Sequence, residues 1–262
     1  MEKETVHSQI SERKTVELTI PEVSFQVNEA INTLRGNIQL SGYNIKTICI
    51  TSTLEHEGKS SVAFRLAKSF AALGKRTLFL DCDIRNSKTA IRYNVKKING
   101  LSEYLCGNIA LEEAICGTNE SFLDMVFTGA TAPNPSELFS SELFSEMLKT
   151  LRSEYDYVIV DTAPVSPVID GVLIARQCDG TVLVVESGMT GRKQCIRAKQ
   201  QLEYAGAKIL GAVLNKVGGK NSRYGYGYGY GSKYGYGSKY GYGYYGYGQD
   251  HEKHKKAGVK KK

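Results

Sequence analysis

Long hydrophobic runs are missing from this sequence. No apolar stretch approaches the roughly 18 to 20 residues that a membrane-spanning helix needs, and the first residues are polar and charged, unlike a secretion signal. These absences predict a protein of the cytoplasm. The 262 residues, 41% of them hydrophobic, are enough for one α/β domain of roughly 200 residues and a tail.

Cysteine spacing typical of metal sites or disulfides is also missing. The six cysteines contain no C-x-x-C pair, and Cys49 and Cys82 lie within apolar, strand-like runs. We therefore interpret the cysteines as small buried hydrophobic side chains. The six are Cys49, Cys82, Cys106, Cys116, Cys178 and Cys195.

The body of the chain has no net positive charge, which is instead concentrated at the end of the sequence. The net charge is +7, but residues 216–262 hold eleven Lys and Arg against Asp250 and Glu252, which is +9 and leaves 7 − 9 = −2 for the remainder. Without a basic stripe on the folded part, no nucleic-acid partner is expected. The charged tail fits either adhesion to an anionic membrane surface or simple solubility.

Alternating segments predict the fold class. Apolar strand-like runs alternate with helical patterns, which is typical of an α/β doubly wound, mostly parallel sheet. The strands are expected at 46–51, 76–80, 122–127, 157–160, 180–185 and 208–214. The helices are expected at 25–40, 59–73, 140–153, 168–177 and 192–205, with short helices near 101–116.

Three regions follow from this pattern. Residues 1–24 mix charged and β-branched residues without a period and predict a flexible or loosely docked arm. Residues 25–217 form the predicted domain. Residues 218–262, rich in Tyr, Gly and Lys, cannot bury a core and are predicted to be disordered.

Residues 52–60 (STLEHEGKS) lie where a predicted strand ends and a helix begins, as a phosphate-binding loop requires. Ser52 stands where such loops usually open with glycine, but the backbone N–H groups still point at the phosphates. Lys59 would neutralise the β and γ oxygens and Ser60 would place its hydroxyl on Mg²⁺. The predicted nucleotide contacts are Thr53, Glu57, Gly58, Lys59, Ser60 and Ser61.

Acidic residues follow two further predicted strands. Asp81 and Asp83 follow the run Thr77–Leu80, and Asp161 follows Val160. Ligands of open α/β sheets bind at this carboxyl edge, so Ser60, Asp81 and Asp161 are the predicted Mg²⁺ ligands. Asn215 ends another apolar strand, where its amide either contacts the adenine edge or serves as a turn residue.

These motifs carry a family resemblance. Residues 78–85 (LFLDCDIR), 157–165 (YVIVDTAPV) and 133–138 (PNPSEL), with the loop and the terminal tyrosines, resemble the bacterial tyrosine kinases of capsule and exopolysaccharide synthesis, over about residues 25–248. The resemblance implies a P-loop NTPase fold with ATP and Mg²⁺, a Walker A motif at the loop, Walker A′ at Asp81 and Asp83, and Walker B at Asp161. The chain departs from the family at Glu55, where proline is usual, and at Asn86–Ser87 after Arg85.

The resemblance further implies autophosphorylation of the tail between neighbouring subunits, control of polysaccharide polymerisation or export, and a cognate tyrosine phosphatase. It implies activation by the cytoplasmic tail of a membrane polysaccharide co-polymerase, which would recruit the kinase to the inner face of the cell membrane. The implied phosphorylation sites are Tyr224, Tyr226, Tyr228, Tyr230, Tyr234, Tyr236, Tyr240, Tyr242, Tyr244, Tyr245 and Tyr247.

A homo-oligomer is implied by the family's assembly helix, in which Glu is followed by Arg at three and six residues. This chain has Glu29, Asn32 and Arg35 at those positions, so one arginine is missing. The helix at 25–41 is either an assembly surface or core packing.

Chemistry assigns roles to the A′ residues. A tyrosine hydroxyl, with a pKa near 10, needs a proton acceptor as it attacks at neutral pH. Asp83 is the predicted base and Asp81 the Mg²⁺-linked or orienting group, although the reverse also fits. Arg85 either stabilises charge on the transferred group or is merely solvated.

Two other functions compete with this one. A ParA- or MinD-like positioning ATPase shares the fold, but its signature lysine is replaced here by Leu54. A nucleic-acid-binding module would use the tail's Tyr and Lys and leaves the folded site unexplained. A eukaryotic-type kinase is excluded because the H-R-D and D-F-G motifs are missing.

Overall fold

A computed structural model describes residues 14–95 and 98–218 of the chain. Its centre is an eight-stranded sheet with the order β1-β4-β5-β3-β6-β2-β7-β8. The strands are β1 (Thr15–Val16), β2 (Thr47–Ser52), β3 (Thr77–Asp81), β4 (Ile115–Thr118), β5 (Leu123–Val126), β6 (Tyr157–Asp161), β7 (Gly180–Glu186) and β8 (Ile209–Asn215).

Helices cover both faces of the sheet. They are α1 (Phe25–Leu40), α2 (Lys59–Ala71), α3 (Thr89–Arg92), α4 (Leu101–Leu105), α5 (Leu111–Ala114), α6 (Pro135–Ser140), α7 (Glu142–Glu154), α8 (Asp170–Ala175) and α9 (Arg192–Tyr204). One core lies under α1 and α2 around Phe64 and Phe70. The other lies under α6 to α9 around Phe139 and Phe144.

Parallel pairing dominates the sheet. β2 pairs in parallel with β6 and β7, β3 with β5 and β6, and β7 with β8, while β4 and β5 are antiparallel. All residues of β2 and β3 are buried, as expected for strands covered on both faces. The predicted doubly wound, mostly parallel sheet is confirmed, and the carboxyl ends of β2, β3 and β6 meet at one edge.

Part of the predicted N-terminal arm belongs to the fold. β1 pairs in parallel with β4, and Val16 and Leu18 are buried. Asn119 fixes this segment, because its side-chain oxygen accepts a bond from the Leu18 amide at 2.9 Å. The prediction of an arm over 1–24 is therefore wrong for residues 15–18, whose two-residue strand is too short to show a period; residues 1–13 lie outside the described residues.

The predicted helix at 140–153 corresponds to α7, and the structure adds the short helix α6 before it. Ser141 has extended backbone between α6 and α7, and its hydroxyl accepts a bond from the Phe144 amide at 3.2 Å. Each copy of the tandem SELFS sequence thus contributes to a different helix. The sequence also missed β4 and α3, which are four residues long and leave little periodic signal.

Cysteine burial follows the prediction only in part. Cys49, Cys82 and Cys116 are buried, whereas Cys178 and Cys195 are half-buried and Cys106 is exposed at the end of α4. Within the described ranges, no helix is both long enough and apolar enough to cross a bilayer. The predicted tail lies outside the described residues beyond Gly218.

Candidate nucleotide and phosphotransfer site

The phosphate-loop sequence connects β2 to α2 at the carboxyl edge of the sheet. Gly58 is the N-cap of α2 and has a φ of 92°, which favours glycine. A Cβ added there would lie 2.2 Å from Nδ2 of Asn215, so close packing also requires glycine. A cavity of about 410 Å³ opens above this helix end, lined by Gly58, Lys59, Ser60 and Ser61 among others.

Lys59 joins the loop to the end of β3. Its Nζ lies 2.7 Å from Oδ2 of Asp83, and both side chains are largely buried. Burial works against the charged lysine, but Asp161 and Asp83 outweigh it, so the pKa of Lys59 is raised. Lys59 is therefore charged at neutral pH and aimed into the predicted phosphate site.

Asp81 and Asp83 have different surroundings. Asp81 is fully buried, and its oxygens accept bonds from the Ser87 hydroxyl and the Asp83 amide. Burial raises the pKa of Asp81, while the hydrogen bond from Ser87 opposes that shift. Asp83 instead lines the cavity, although only 6% of its side chain is exposed. Its oxygens accept bonds from Lys59 and from the Asn86 amide.

Asp161 is a buried carboxylate without good partners. Neither oxygen has a hydrogen bond of standard geometry within the described residues, although the Ser60 hydroxyl lies near enough to lower its pKa. Burial is the main cause that raises the pKa of Asp161 to about 7, and Lys59 opposes it. A buried polar group of this kind calls for an explanation such as an ion.

A bound Mg²⁺ would explain why the buried Asp161 carboxylate lacks hydrogen-bond partners of standard geometry in the described part of the chain. The ion binds through one or two protein oxygens, substrate phosphates and water, and needs no all-protein cage. Accordingly, the described residues contain no cluster of three His, Cys, Asp or Glu side chains arranged to hold a metal. Ser60 and Asp161 are the available donors. Asp81, also predicted as a ligand, accepts one bond on each oxygen, from the Asp83 amide and the Ser87 hydroxyl, and its place among the ligands stays a prediction.

Glu57 and Thr53, two predicted nucleotide contacts, have buried side chains, and that of Glu57 braces the loop. Glu57 is buried, and its carboxylate accepts bonds from the amides of Leu54 and Glu186, at 2.7 and 3.1 Å, and from the Thr190 hydroxyl. Thr53 is also buried and does not line the cavity. The Glu57 side chain is thus engaged within the protein, and contact of Thr53 or Glu57 with a nucleotide stays a prediction.

Asn215, for which the sequence left open an adenine contact or a turn role, bonds to the phosphate loop. Its Nδ2 donates to the Glu57 carbonyl at 2.8 Å. The neighbouring Lys216 donates to the His56 carbonyl at 2.6 Å and pairs with Glu186 at 2.7 Å. Asn215 and Lys216, at the end of β8, thus hold the phosphate loop through the carbonyls of Glu57 and His56.

The cavity is also lined by basic residues that the sequence motifs did not identify. Arg92 donates through Nη1 to the Ser61 hydroxyl at 2.7 Å, and Lys88 and Lys216 lie in the same wall. Lys88 precedes the short helix α3, Arg92 is its last residue, and Lys216 follows β8. Only the fold therefore brings these cations close to Lys59. With Arg85, they give the cavity a surplus of positive charge suited to phosphates.

Arg85 is anchored rather than merely solvated. Its Nε and Nη2 contact the two oxygens of Asp170 at 2.6 and 3.2 Å, and Nη2 also reaches the Ser136 hydroxyl at 3.2 Å. The arginine lines the cavity with Lys59 and Asp83. Ser136 is the serine of the PNPSEL segment, which explains why that segment accompanies the A′ motif.

The predicted assembly residues make contacts within the chain. Arg35 donates to the Ser69 carbonyl of α2 at 2.7 Å, and Glu29 accepts a bond from Asn32 at 3.1 Å. Only Ile31 and Ile38 of α1 are buried. Assembly through α1 stays a prediction, with Arg35 committed to its own chain. The predicted phosphorylation sites, Tyr224 to Tyr247, lie outside the described residues.

The sheet, the loop at the start of α2 and the carboxylates at the strand ends define a P-loop nucleotide-binding protein. In agreement, residues 45–201 match the family model described as AAA domain. Tyrosine-protein kinase CpsD of Streptococcus pneumoniae is 40% identical over 218 residues, covering 82% of this chain and 96% of that protein. YwqD of Bacillus subtilis, also a tyrosine-protein kinase, is 37% identical, covering 76% and 85%.

Solved structures agree. The kinase domain of Escherichia coli tyrosine kinase ETK has a TM-score of 0.71 and 32% identity, covering 77% of this chain and 80% of that one. MinD of Pyrococcus horikoshii, at 23% identity and a TM-score of 0.58, shares the fold alone. The chain belongs to the bacterial tyrosine-protein kinase family, which confirms the resemblance inferred from its motifs over the MinD-like alternative.

Proposed function

We propose that this protein uses ATP and Mg²⁺ to phosphorylate the tyrosines of its own C-terminal segment, and so regulates polysaccharide polymerisation or export. The observation that carries the proposal is the pairing of Lys59 with Asp83 at 2.7 Å inside the cavity. A phosphate-binding lysine and a carboxylate that borders the cavity thereby share one site. Eleven of the chain's seventeen tyrosines lie between Tyr224 and Tyr247, separated mostly by glycines.

The chain's own residues account for nucleotide binding. The free N–H groups at the start of α2 and the Lys59 ammonium hold the phosphates. The Ser60 hydroxyl and the unpartnered Asp161 carboxylate would hold Mg²⁺. The ion would supply neutralising charge on the β- and γ-phosphate oxygens.

Asp83 is the proton acceptor in this proposal. As the tyrosine oxygen forms its bond to the γ-phosphorus, the bond from phosphorus to the β-bridging oxygen breaks and ADP leaves. The tyrosine proton passes to an Asp83 oxygen, which lines the cavity, whereas Asp81 is enclosed by Ser87 and the Asp83 amide. This difference supports Asp83 over Asp81 as the base.

Membrane activation is the finer part of the proposal. The chain resembles the crystallised chimerical protein CapA2B2, with 31% identity and a TM-score of 0.70 over 97% of that chain. We propose a membrane-anchored polysaccharide co-polymerase whose cytoplasmic segment activates the kinase and recruits it to the inner face of the membrane, with a cognate phosphatase reversing the modification. Each tail phosphate adds about −1.5 to −2 charges, so a handful would reverse the tail's +9 and alter its partners.

Phosphotyrosine mass spectrometry tests the proposal. The purified protein is incubated with Mg-ATP and the partner's cytoplasmic segment, and wild type is compared with Lys59→Met. Lys68→Met is the matched control, because Lys68 lies on the same helix α2 and pairs with Glu120 away from the cavity. Tail phosphate in wild type and Lys68→Met, but not in Lys59→Met, would support kinase activity. ATP hydrolysis without tail phosphate would instead indicate a positioning ATPase.

A further inference from the structure

Asp170 is a buried carboxylate that no motif singled out and that the proposed chemistry leaves without a role. It is the first residue of α8, and 1% of its surface is exposed. It does not line the cavity itself. A charged group taken out of water in this way needs a strong partner.

Arg85 is that partner, and the contact is bidentate. Oδ2 of Asp170 accepts a bond from Nε at 2.6 Å, and Oδ1 accepts one from Nη2 at 3.2 Å. The Ser136 hydroxyl donates to Oδ1 at 2.6 Å and accepts from Nη2. Three segments far apart in the chain thus fix one guanidinium plane.

Fixing this plane leaves one nitrogen of Arg85 for the cavity. Nε and Nη2 are both engaged, whereas Nη1 makes no recorded hydrogen bond within residues 14–95 and 98–218. The side chain keeps 41% of its surface exposed and lines the cavity beside Lys59 and Asp83. Two N–H donors on Nη1 are therefore available to an anion bound there.

We propose that Asp170 is a positioning residue of this kinase: it holds Arg85 so that Nη1 contacts the phosphoryl group during transfer. The inference rests on the proposed function. Donors fixed in advance stabilise developing charge better than a mobile side chain, because they need no reorganisation as the charge moves. Ser136 supports the same contact by bonding both members of the pair.

A purely structural role would also bury this pair, joining the A′ loop to α6 and α8. The two roles differ in how the variants combine. If Asp170 acts through Arg85, losing both groups costs no more activity than losing Arg85 alone. If Asp170 only holds the fold together, its loss reduces nucleotide binding and activity alike, whether or not Arg85 is present.

The test uses the full chain with the activating segment. The initial rate of tail phosphorylation at saturating Mg-ATP and the affinity for a fluorescent ADP analogue are measured for Asp170→Asn, Arg85→Ala and the double variant. Asp179→Asn is the matched control: Asp179 pairs with Arg152, whose exposure of 42% is close to that of Arg85, at the opposite end of β2. Circular dichroism establishes that each variant is folded at the assay temperature.

We expect Asp170→Asn to lower the rate by about tenfold or more with ADP affinity within about twofold of wild type, Asp179→Asn to keep the wild-type rate, and the double variant to match Arg85→Ala. A wild-type rate in Asp170→Asn, parallel losses of rate and ADP affinity, or multiplicative losses in the double variant would each overturn the inference. If Asp170→Asn does not fold, Ser136→Ala and Arg85→Lys replace it. They should slow transfer without weakening ADP binding, and a wild-type rate in both would again overturn it.

A failure of the proposed function is visible separately. Wild type without tail phosphate would contradict the kinase and this inference with it. Equal rates of tail phosphorylation in wild type and Asp170→Asn would contradict this inference but not the proposed function.

Discussion

Replacing Asp161 with Asn should stabilise the empty protein while weakening its response to Mg-nucleotide. Both oxygens of this fully buried carboxylate lack good hydrogen bonds within the described residues, and an unsatisfied buried group costs about 1–3 kcal/mol, more if charged. The neutral amide removes the buried charge, and Lys59 keeps Asp83 as a partner. We therefore expect a gain of about 1–3 kcal/mol at pH 8, or about 2–4 °C in melting temperature per kcal/mol.

The assay is thermal unfolding in metal-free buffer and again with excess Mg-ADP. A ligand at a hundred times its dissociation constant adds about 2.7 kcal/mol of stability, which wild type should gain and Asp161→Asn should largely lose. The order of the two melting temperatures should therefore reverse when ligand is added. Asp179→Asn serves as control and should be less stable in both buffers, because Arg152 and two backbone amides engage that carboxylate.

The effect should also depend on pH. Burial raises the pKa of Asp161 to about 7 from 3.8, so between these values the folded state holds a proton that the unfolded state has lost. Wild type therefore loses stability as the pH rises from about 4 to 7, and the advantage of Asp161→Asn grows over the same window. A variant that is no more stable than wild type at pH 8, or an advantage that shrinks with rising pH, would refute the reasoning.

Three further variants test other parts of the site. Gly58→Ala places a Cβ 2.2 Å from Asn215 at a residue whose φ is 92°, and we expect calorimetry to show about a tenfold loss of ADP affinity. Gly74→Ala is its control, because Gly74 has a φ of 71° but open space around it; it should cost about 1 kcal/mol of stability and leave ADP affinity unchanged. Glu57→Ala removes three hydrogen bonds from the loop; we expect a loss of about 2–4 kcal/mol in thermal unfolding with weaker ADP binding, and an unchanged melting temperature would contradict the bracing role. Ser87→Ala deprives buried Asp81 of a donor, which should cost about 1–3 kcal/mol in urea unfolding while ADP affinity stays within about twofold; a large loss of affinity would place Asp81 in the nucleotide site.

The fold and the position of the site were predictable because their signals are local. Strand runs such as Cys49–Ile50 and Val158–Val160 are apolar on both faces, which requires a covered, parallel sheet. Gly58 and Lys59 at a junction from strand to helix locate the phosphate loop. Parallel strands then bring Asp81 and Asp161 opposite each other, as the register confirms.

The roles of individual side chains were not predictable, since they depend on distant partners. Asp81 and Asp83 look equivalent in the sequence, and Ser87 and Lys59 separate them. Arg85 meets Asp170 only across 85 positions of chain. Glu57 lies within the loop motif, but its carboxylate accepts bonds from Glu186 and Thr190, which are more than a hundred positions away in the chain. A local sequence pattern does not predict such contacts.

In the proposed reaction, Asp83 and the phosphates of ATP compete for Lys59, and this competition favours binding of ATP before tyrosine. The Lys59 ammonium is bonded to Asp83 at 2.7 Å, and a carboxylate that accepts such a bond is less available to take a proton from tyrosine. The phosphates of ATP carry more negative charge than Asp83 and bind at the same helix end, so they compete for Lys59. In the proposed mechanism, binding of ATP would therefore free Asp83 as it brings the phosphoryl donor, and a tyrosine that arrives before ATP would meet a carboxylate already paired with Lys59.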